Sequence, residues 1–568
     1  MKLGIIGFGP RGLYSLERLI FSSVKENKFN NLYITIFESG DHLGVGKAWE
    51  LNQSNTNWIN ISDHALQNLK GRASIKYTDV TIPLFPSYSK WCINNHLLIN
   101  IDADKDVYPP RSQMGRYLNE RATSIIKPLL KTRRLDLVKT RVKNIEYLAS
   151  GLTVTDYKKG QWKFDECLVT IGHQPTKLTN DEKNNIHHSK ANDCTYIHSP
   201  YKIDITHEVK GSSNIAILGY GLTMIDITRI LLSKVKGRFS KRNESYLLEY
   251  SLEETCNLKI IPYSLDGLPC VPKPYGRKVD NNFEPSTVQK NQFELELNDT
   301  LGTKDNIDSS EFLLNSFSKI AATIFLNDEN LFCKTSLTHE NIRSLTKQWL
   351  KDTETKHHLI LNINLPPRDY MVACVEMAKG IRKFTLDFTI GQIWRQLQPL
   401  MYRIFAYSKL SDKIMKEIID IDERTKRYSY GPPVESILQL IALNDCNILD
   451  LSFVKDPSIT QNKKGWELLK NGKRIECSAL INTVLEAPAI KEINSDIIKG
   501  LRKQKLIEEV ADGLGAKTQP NGLLKNKKSY NISLLGRNAK GNVLGTDAIL
   551  ECFSPEIEDW AQALVSRT

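Results

Sequence analysis

The sequence predicts an α/β chain with two strand–turn–helix units and a helical insertion, on three observations. An apolar run at residues 3–6 (LGII) enters GFGPRG at 7–12 and then a helical apolar pattern. A second run at 214–218 (NIAIL) enters GYGLTMID at 219–226 and another apolar helix to 232. From 281 to 430 the apolar spacing is largely helical, as at 390–397, after a polar linker over 280–305.

The first unit has the spacing of a Rossmann-like dinucleotide-binding turn. Gly7 permits the tight strand-to-helix turn, Gly9 lets a pyrophosphate approach the backbone, and Gly12 lets helix and strand pack closely. Pro10 lacks an N–H, which is tolerated where helix N–H groups have no intrahelical acceptor. Arg11 belongs to the same turn. The helix N-terminus presents free N–H groups and partial positive charge to phosphates. A second strand over 32–37 (LYITIF) leads to Glu38, suited to bonding ribose hydroxyls and to repelling a 2′-phosphate. FAD or NAD is therefore expected there rather than NADP.

The second unit has Gly219 and Gly221, but Met224 stands where a third glycine would be. Two such units in one chain are the arrangement that brings a nicotinamide to a flavin.

Composition narrows the class further. The 568 residues are enough for roughly two to four domains. No window is long and apolar enough for a membrane span, and no signal peptide is evident, so a cytoplasmic location is the default. The ten cysteines include no CxxC pair, which argues against a disulfide reductase. The formal charge of +12 is spread along the chain. Its densest run, KVKGRFSKR at 234–242, reads as a solvated helix end or loop, since no nucleic-acid-binding module surrounds it. No metal-ligand cluster stands out. The pairs His187-His188 and His357-His358 read as surface loops.

Several stretches in order resemble the bacterial FAD–NAD(P)-binding proteins whose N-terminal Rossmann domain is split by other segments. They are GFGPRG at 7–12, HLGVGKAW at 42–49, WINI at 58–61, YPPRSQMGRYL at 108–118 and TIGHQP at 170–175. GYGLTMID at 219–226, LGRNAKG at 535–541 and GTD at 545–547 complete the set. The resemblance implies FAD at Gly7–Gly12 and Glu38, and NADPH or NADH at Gly219, Gly221, Leu222 and Thr223. It also implies flavin contacts by Gly536 and Asp547 near the C-terminus. One departure concerns the pyridine nucleotide. Where the family often has arginines, this chain has Leu265 and Asp266, with Lys273 and Arg277 downstream as compensating cations.

The chemistry is then carried by the flavin, with protein residues positioning it. Asn60 is the candidate for a flavin edge or substrate carbonyl. Arg111 is the candidate for a pyrophosphate or substrate carboxylate, with Arg116 behind it; the alternative for both arginines is a salt bridge. Trp394, Tyr402, Phe405 and Tyr407 read as core. The stretch 365–370 reads as a turn before a helix. The expected layout is 1–205 as the first part of the FAD domain, 206–280 as the nicotinamide unit, 281–430 as helical insertion or lid, and 431–568 as the return to the FAD domain. The expected activity is an NAD(P)H-consuming monooxygenase using molecular oxygen on a small polar substrate. The family resembles amino-acid N-hydroxylases, which makes an amino acid the leading substrate class. The rivals are a flavin dehydrogenase or reductase and a non-catalytic FAD or nucleotide sensor. No membrane or nucleic-acid partner is expected.

Overall fold

The computed structural model describes residues 1–78, 80–97, 105–148, 151–202, 204–303, 307–327, 331–525 and 531–568. Its frame is two parallel sheets. The first centres on β1 (Lys2–Ile6), which pairs with β2 (Tyr33–Glu38) on one side and with Glu166–Val169 on the other. Leu135–Lys139 extends the sheet beyond β2, and Ile532–Leu534 extends it beyond Glu166–Val169. β1 and β2 are buried on both faces, as their unbroken apolar runs require in a parallel sheet. One face carries α1 (Pro10–Lys25) and the C-terminal helix Pro555–Arg567, joined through Leu13, Leu16, Ile20, Ile557, Trp560 and Leu564. The other face packs Phe37 and Val169 against an antiparallel three-stranded sheet and the helix Asp496–Lys503, through Ile145, Val154 and Leu501.

The second sheet orders Thr195–Ile197, Ala479–Asn482, Asn214–Leu218 and Lys259–Tyr263, all parallel. Among the described residues, seven helices run from Thr287–Thr303 to Val434–Asp445. They share one apolar core with this sheet: Ile217 and Met224 lie in the same cluster as Phe317 and Trp394. No helix among the described residues is long and apolar enough to cross a membrane.

Several local expectations change. The strand at 479–482 joins the second sheet rather than returning to the first, and among the described residues only Ile532–Leu534 makes that return. Residues 448–451 form no strand; Leu449 makes a lone bridge to Ile260. The polar linker is helical over Thr287–Thr303, and its last two residues lie outside the described residues. The basic run contains a strand, Gly237–Lys241, paired with Leu248–Leu252. His187 and His188 lie on the helix Asn180–Ala191, where His188 Nε2 meets the Gly465 carbonyl at 2.9 Å. The strand at 479–482 and the Leu449 and His188 contacts depend on partners distant in sequence, which local patterning does not contain.

Candidate functional site

The carboxyl ends of parallel strands are where an open α/β sheet offers a ligand crevice. At β1 the chain turns through Gly7, whose φ is +86°. A Cβ there would lie 2.8 Å from the Thr170 carbonyl oxygen, and one on Gly12 would lie 2.7 Å from the Gly7 carbonyl oxygen. Both glycines are thus demanded by the protein itself. Gly9 differs. It is extended, and its Cβ would meet only Gly46, at an ordinary 3.5 Å. No neighbour requires glycine at this helix start, so the cradle fits a ligand pressed against the backbone. Pro10 opens α1 beside it.

Glu38 ends β2 and braces the turn. One carboxylate oxygen accepts the Phe8 N–H and the other the Gly40 N–H, each at 2.7 Å. Arg11 turns its guanidinium away from the loop, donating to the Glu551 carbonyl at 2.8 Å and crowding Gly536. Its contribution at the loop is therefore its main chain rather than its charge.

The second turn repeats the logic. Gly219 has φ +109°, and a Cβ would lie 2.5 Å from Thr483 Oγ1. Gly221 caps the helix Leu222–Leu232, and its Cβ would have no described atom within 4 Å. Met224, at the third-glycine position, is fully buried in the core. Thr223 accepts the Tyr201 hydroxyl at 3.2 Å, which ties the start of this helix to Tyr201.

The two turns are tied together by the residues singled out for chemistry. Trp58 bridges Pro110, so the 57–60 segment lies beside the start of the helix Arg111–Lys131. Arg111 donates from Nε to the Trp58 carbonyl at 3.2 Å and pairs with Asp226 of the second unit at 2.8 Å. Burial works against the Arg111 charge, but Asp226 and Tyr201 outweigh it and raise its pKa. Burial raises the Asp226 pKa, and Arg111 and Arg229 offset this only in part. Arg111 is thus a salt bridge spanning both units. Replacing Asp226 by Asn is expected to lower the unfolding free energy by about 3–5 kcal/mol, since a buried cation loses its partner. A denaturant titration showing less than about 1 kcal/mol would contradict this role.

Asn60 donates its side-chain N–H to the Tyr430 carbonyl at 3.2 Å, and its own carbonyl accepts Lys273. Lys273 is therefore turned inward to Asn60, a correction to its reading as a clamp for a 2′-phosphate. Burial, with Arg395 adding to it, pushes the Lys273 amine down to about 7. The unfolded chain, with a lysine pKa of about 10.4, binds that proton more readily, so stability rises with pH from about 7 to about 10. Lys273→Met is expected to abolish this rise, as read from urea midpoints across that window. Arg116 lies on the surface, over the Trp91 ring and paired with Glu120 at 3.6 Å; it is not a site residue.

The C-terminal turn closes the site. Gly536 has φ +90° and leads to Arg537, which pairs with Asp547 and donates to the Glu486 carbonyl at 2.7 Å. Glu486 follows the Ala479–Asn482 strand, so the carboxyl edges of the two sheets meet here. Burial alone would raise the Asp547 pKa, but Lys426, Lys540 and Arg537 hold the carboxyl well below the ordinary range. Its carboxylate is committed to these cations, 2.7 Å from Lys426. His173, overlooked in the sequence, lies beyond Glu166–Val169 with a solvent-accessible side chain. Desolvation by the surrounding protein and the Arg537 charge push its pKa down to about 4. The signal was available: TIGHQP follows a strand of the same sheet. Asp63, His64 and Asp106 place three ligand atoms within 4.8 Å of one another. His64 Nδ1 contacts Asp106, and Asp63 accepts the His64 and Val107 N–H groups, so these atoms are already engaged.

Residues 4–174 match the family model described as FAD-NAD(P)-binding. The match covers β1, the first glycine turn, Glu38, Asn60 and Arg111. None of the curated proteins compared matches the chain. Among solved structures, the chain is similar to the reduced form of ornithine hydroxylase from Pseudomonas aeruginosa, at 12% identity, 100% and 98% coverage of the two chains and TM-score 0.44. It is also similar to L-lysine 6-monooxygenase from Pseudomonas syringae, at 11% identity, 100% and 99% coverage and TM-score 0.47. For ε-caprolactone-bound cyclohexanone monooxygenase the values are 12%, 100% and 87%, and 0.45. Likeness at this level carries no argument about activity.

Proposed function

We propose that the protein is an FAD-dependent, NAD(P)H-consuming oxidoreductase of the cytoplasm, and a monooxygenase that uses molecular oxygen on a small polar substrate such as an amino acid. One observation carries the reading: two glycine turns, on two parallel sheets of one chain, are joined by Arg111–Asp226. Gly9 and Gly221 leave the space that two pyrophosphates need, and the helix N-termini behind them favour anions. Glu38 offers a carboxylate for ribose hydroxyls. Bound FAD would supply hydride acceptance and oxygen chemistry. Asn60, held by Lys273 and by the Tyr430 carbonyl, offers an amide for orienting a polar substrate.

The test is anaerobic mixing of the FAD-loaded protein with NADH and with NADPH, then admission of oxygen with an amino-acid panel. Bleaching of the flavin colour, followed by oxygen uptake matched to substrate oxidation, is expected. Bleaching without coupled oxygen uptake would replace the monooxygenase with a dehydrogenase. A protein that holds FAD but is bleached by neither nucleotide would overturn the enzymatic reading altogether.

A further inference from the structure

A cavity of about 250 Å3 lies along one stripe of α1, lined by Tyr14, Arg18 and Phe21. It is separate from the glycine turn. At 1.5 Å per residue, Arg18 stands about 12 Å along the axis from Pro10.

The floor of the cavity is charged. Arg72 and Arg121, with side chains 5% and 2% exposed, both pair with Glu17, at 2.8 and 2.7 Å. Two guanidiniums against one carboxylate leave one uncompensated positive charge. The terminal nitrogens of Arg72 are satisfied by Glu17, the Pro83 carbonyl and Ser124. Its Nε is buried and has no hydrogen-bond partner among the described residues. A buried donor left unpaired costs about 1–3 kcal/mol, so an acceptor in the cavity would relieve it.

The rim adds two cations. Among the described residues Arg18 pairs with one acid, Glu558, at 3.4 Å, and that carboxylate also accepts the Tyr14 hydroxyl at 3.0 Å. Lys70 has no acidic partner among the described residues. The walls are aromatic. Phe21 is 40% exposed beneath the Arg18 guanidinium, and Phe553 packs on Tyr14 with ring centroids 5.0 Å apart. Excess positive charge, an unpaired N–H and flat apolar walls together define the complement of one ligand class.

We propose that this cavity binds a small organic anion: a carboxylate or phosphate facing Arg72 and Arg18, carried on a flat apolar body lying between Phe21 and Phe553. Inorganic phosphate supplies the charge without the body, and benzyl alcohol supplies the body without the charge.

Calorimetric titration of the full-length protein, with excess FAD present, tests this. Benzoate and phenyl phosphate are expected to bind at one per chain, with inorganic phosphate at least about tenfold weaker and benzyl alcohol not bound. Whichever aromatic anion binds more tightly identifies the headgroup. The double variant Arg18→Ala, Lys70→Ala is expected to lose at least about tenfold in affinity while keeping its FAD content and melting temperature. Absence of binding by both aromatic anions, or equal binding by wild type and double variant, would overturn the proposal. Displacement of the anion by FAD would overturn it too, by placing the anion in the glycine cradle.

Discussion

Glu17→Gln is expected to destabilise the protein by about 3–5 kcal/mol, among the largest effects of any single substitution that leaves side-chain volume unchanged. Glu17 lies on α1 with a side chain 3% exposed and accepts from Arg72 Nη1, Arg121 Nε and Arg121 Nη2. The amide of glutamine keeps the shape but removes the charge, leaving two buried guanidiniums facing each other. Their remaining bonds are to carbonyls and hydroxyls, which cannot neutralise them. Urea unfolding gives the measurement. A loss under about 1 kcal/mol would show that water reaches the triad. A triple variant, Glu17→Leu with Arg72→Met and Arg121→Met, is expected to recover most of the loss, because the apolar set carries no desolvation penalty.

Gly9→Val is expected to weaken FAD binding at least about 100-fold while leaving the FAD-free fold intact. The backbone at Gly9 is extended, a conformation any residue adopts, and its Cβ direction meets only Gly46 at 3.5 Å. The side chain would instead fill the space in front of the first-turn N–H groups. Gly12→Val is the contrasting case, since its Cβ would already lie 2.7 Å from the Gly7 carbonyl and the fold itself would yield. FAD content after purification and the melting temperature of the FAD-free protein separate the two. Full-strength binding by Gly9→Val would remove the glycine turn from the site.

Both glycine turns were legible because their requirements are local. A strand, a left-handed glycine and a helix start occupy a dozen residues, and Gly7 and Gly219 could be read from spacing alone. The helical middle was legible through its periodicity. What escaped were choices made by distant partners. The apolar run at 479–482 suits either parallel sheet equally, and only pairing with Asn214–Leu218 decides it. Arg111 looks the same in sequence whether it meets a ligand or Asp226 in the second unit. Lys273 reads as a cation for a nucleotide phosphate until the 58–61 segment arrives to accept from it. The site is therefore half local motif and half long-range ion pair, and only the first half is written in neighbouring residues.

The place of Ile532–Leu534 in the first sheet has a consequence for synthesis. This strand covers Glu166–Val169, which otherwise presents a bare parallel edge. At about 5–20 residues per second, the covering strand leaves the ribosome roughly 20–70 s after its neighbour. Throughout that interval the nascent chain displays an unpaired strand edge, apolar from Cys167 to Val169, of the kind that recruits other chains. The longer that edge waits for its covering strand, the longer the growing chain is open to pairing with another copy.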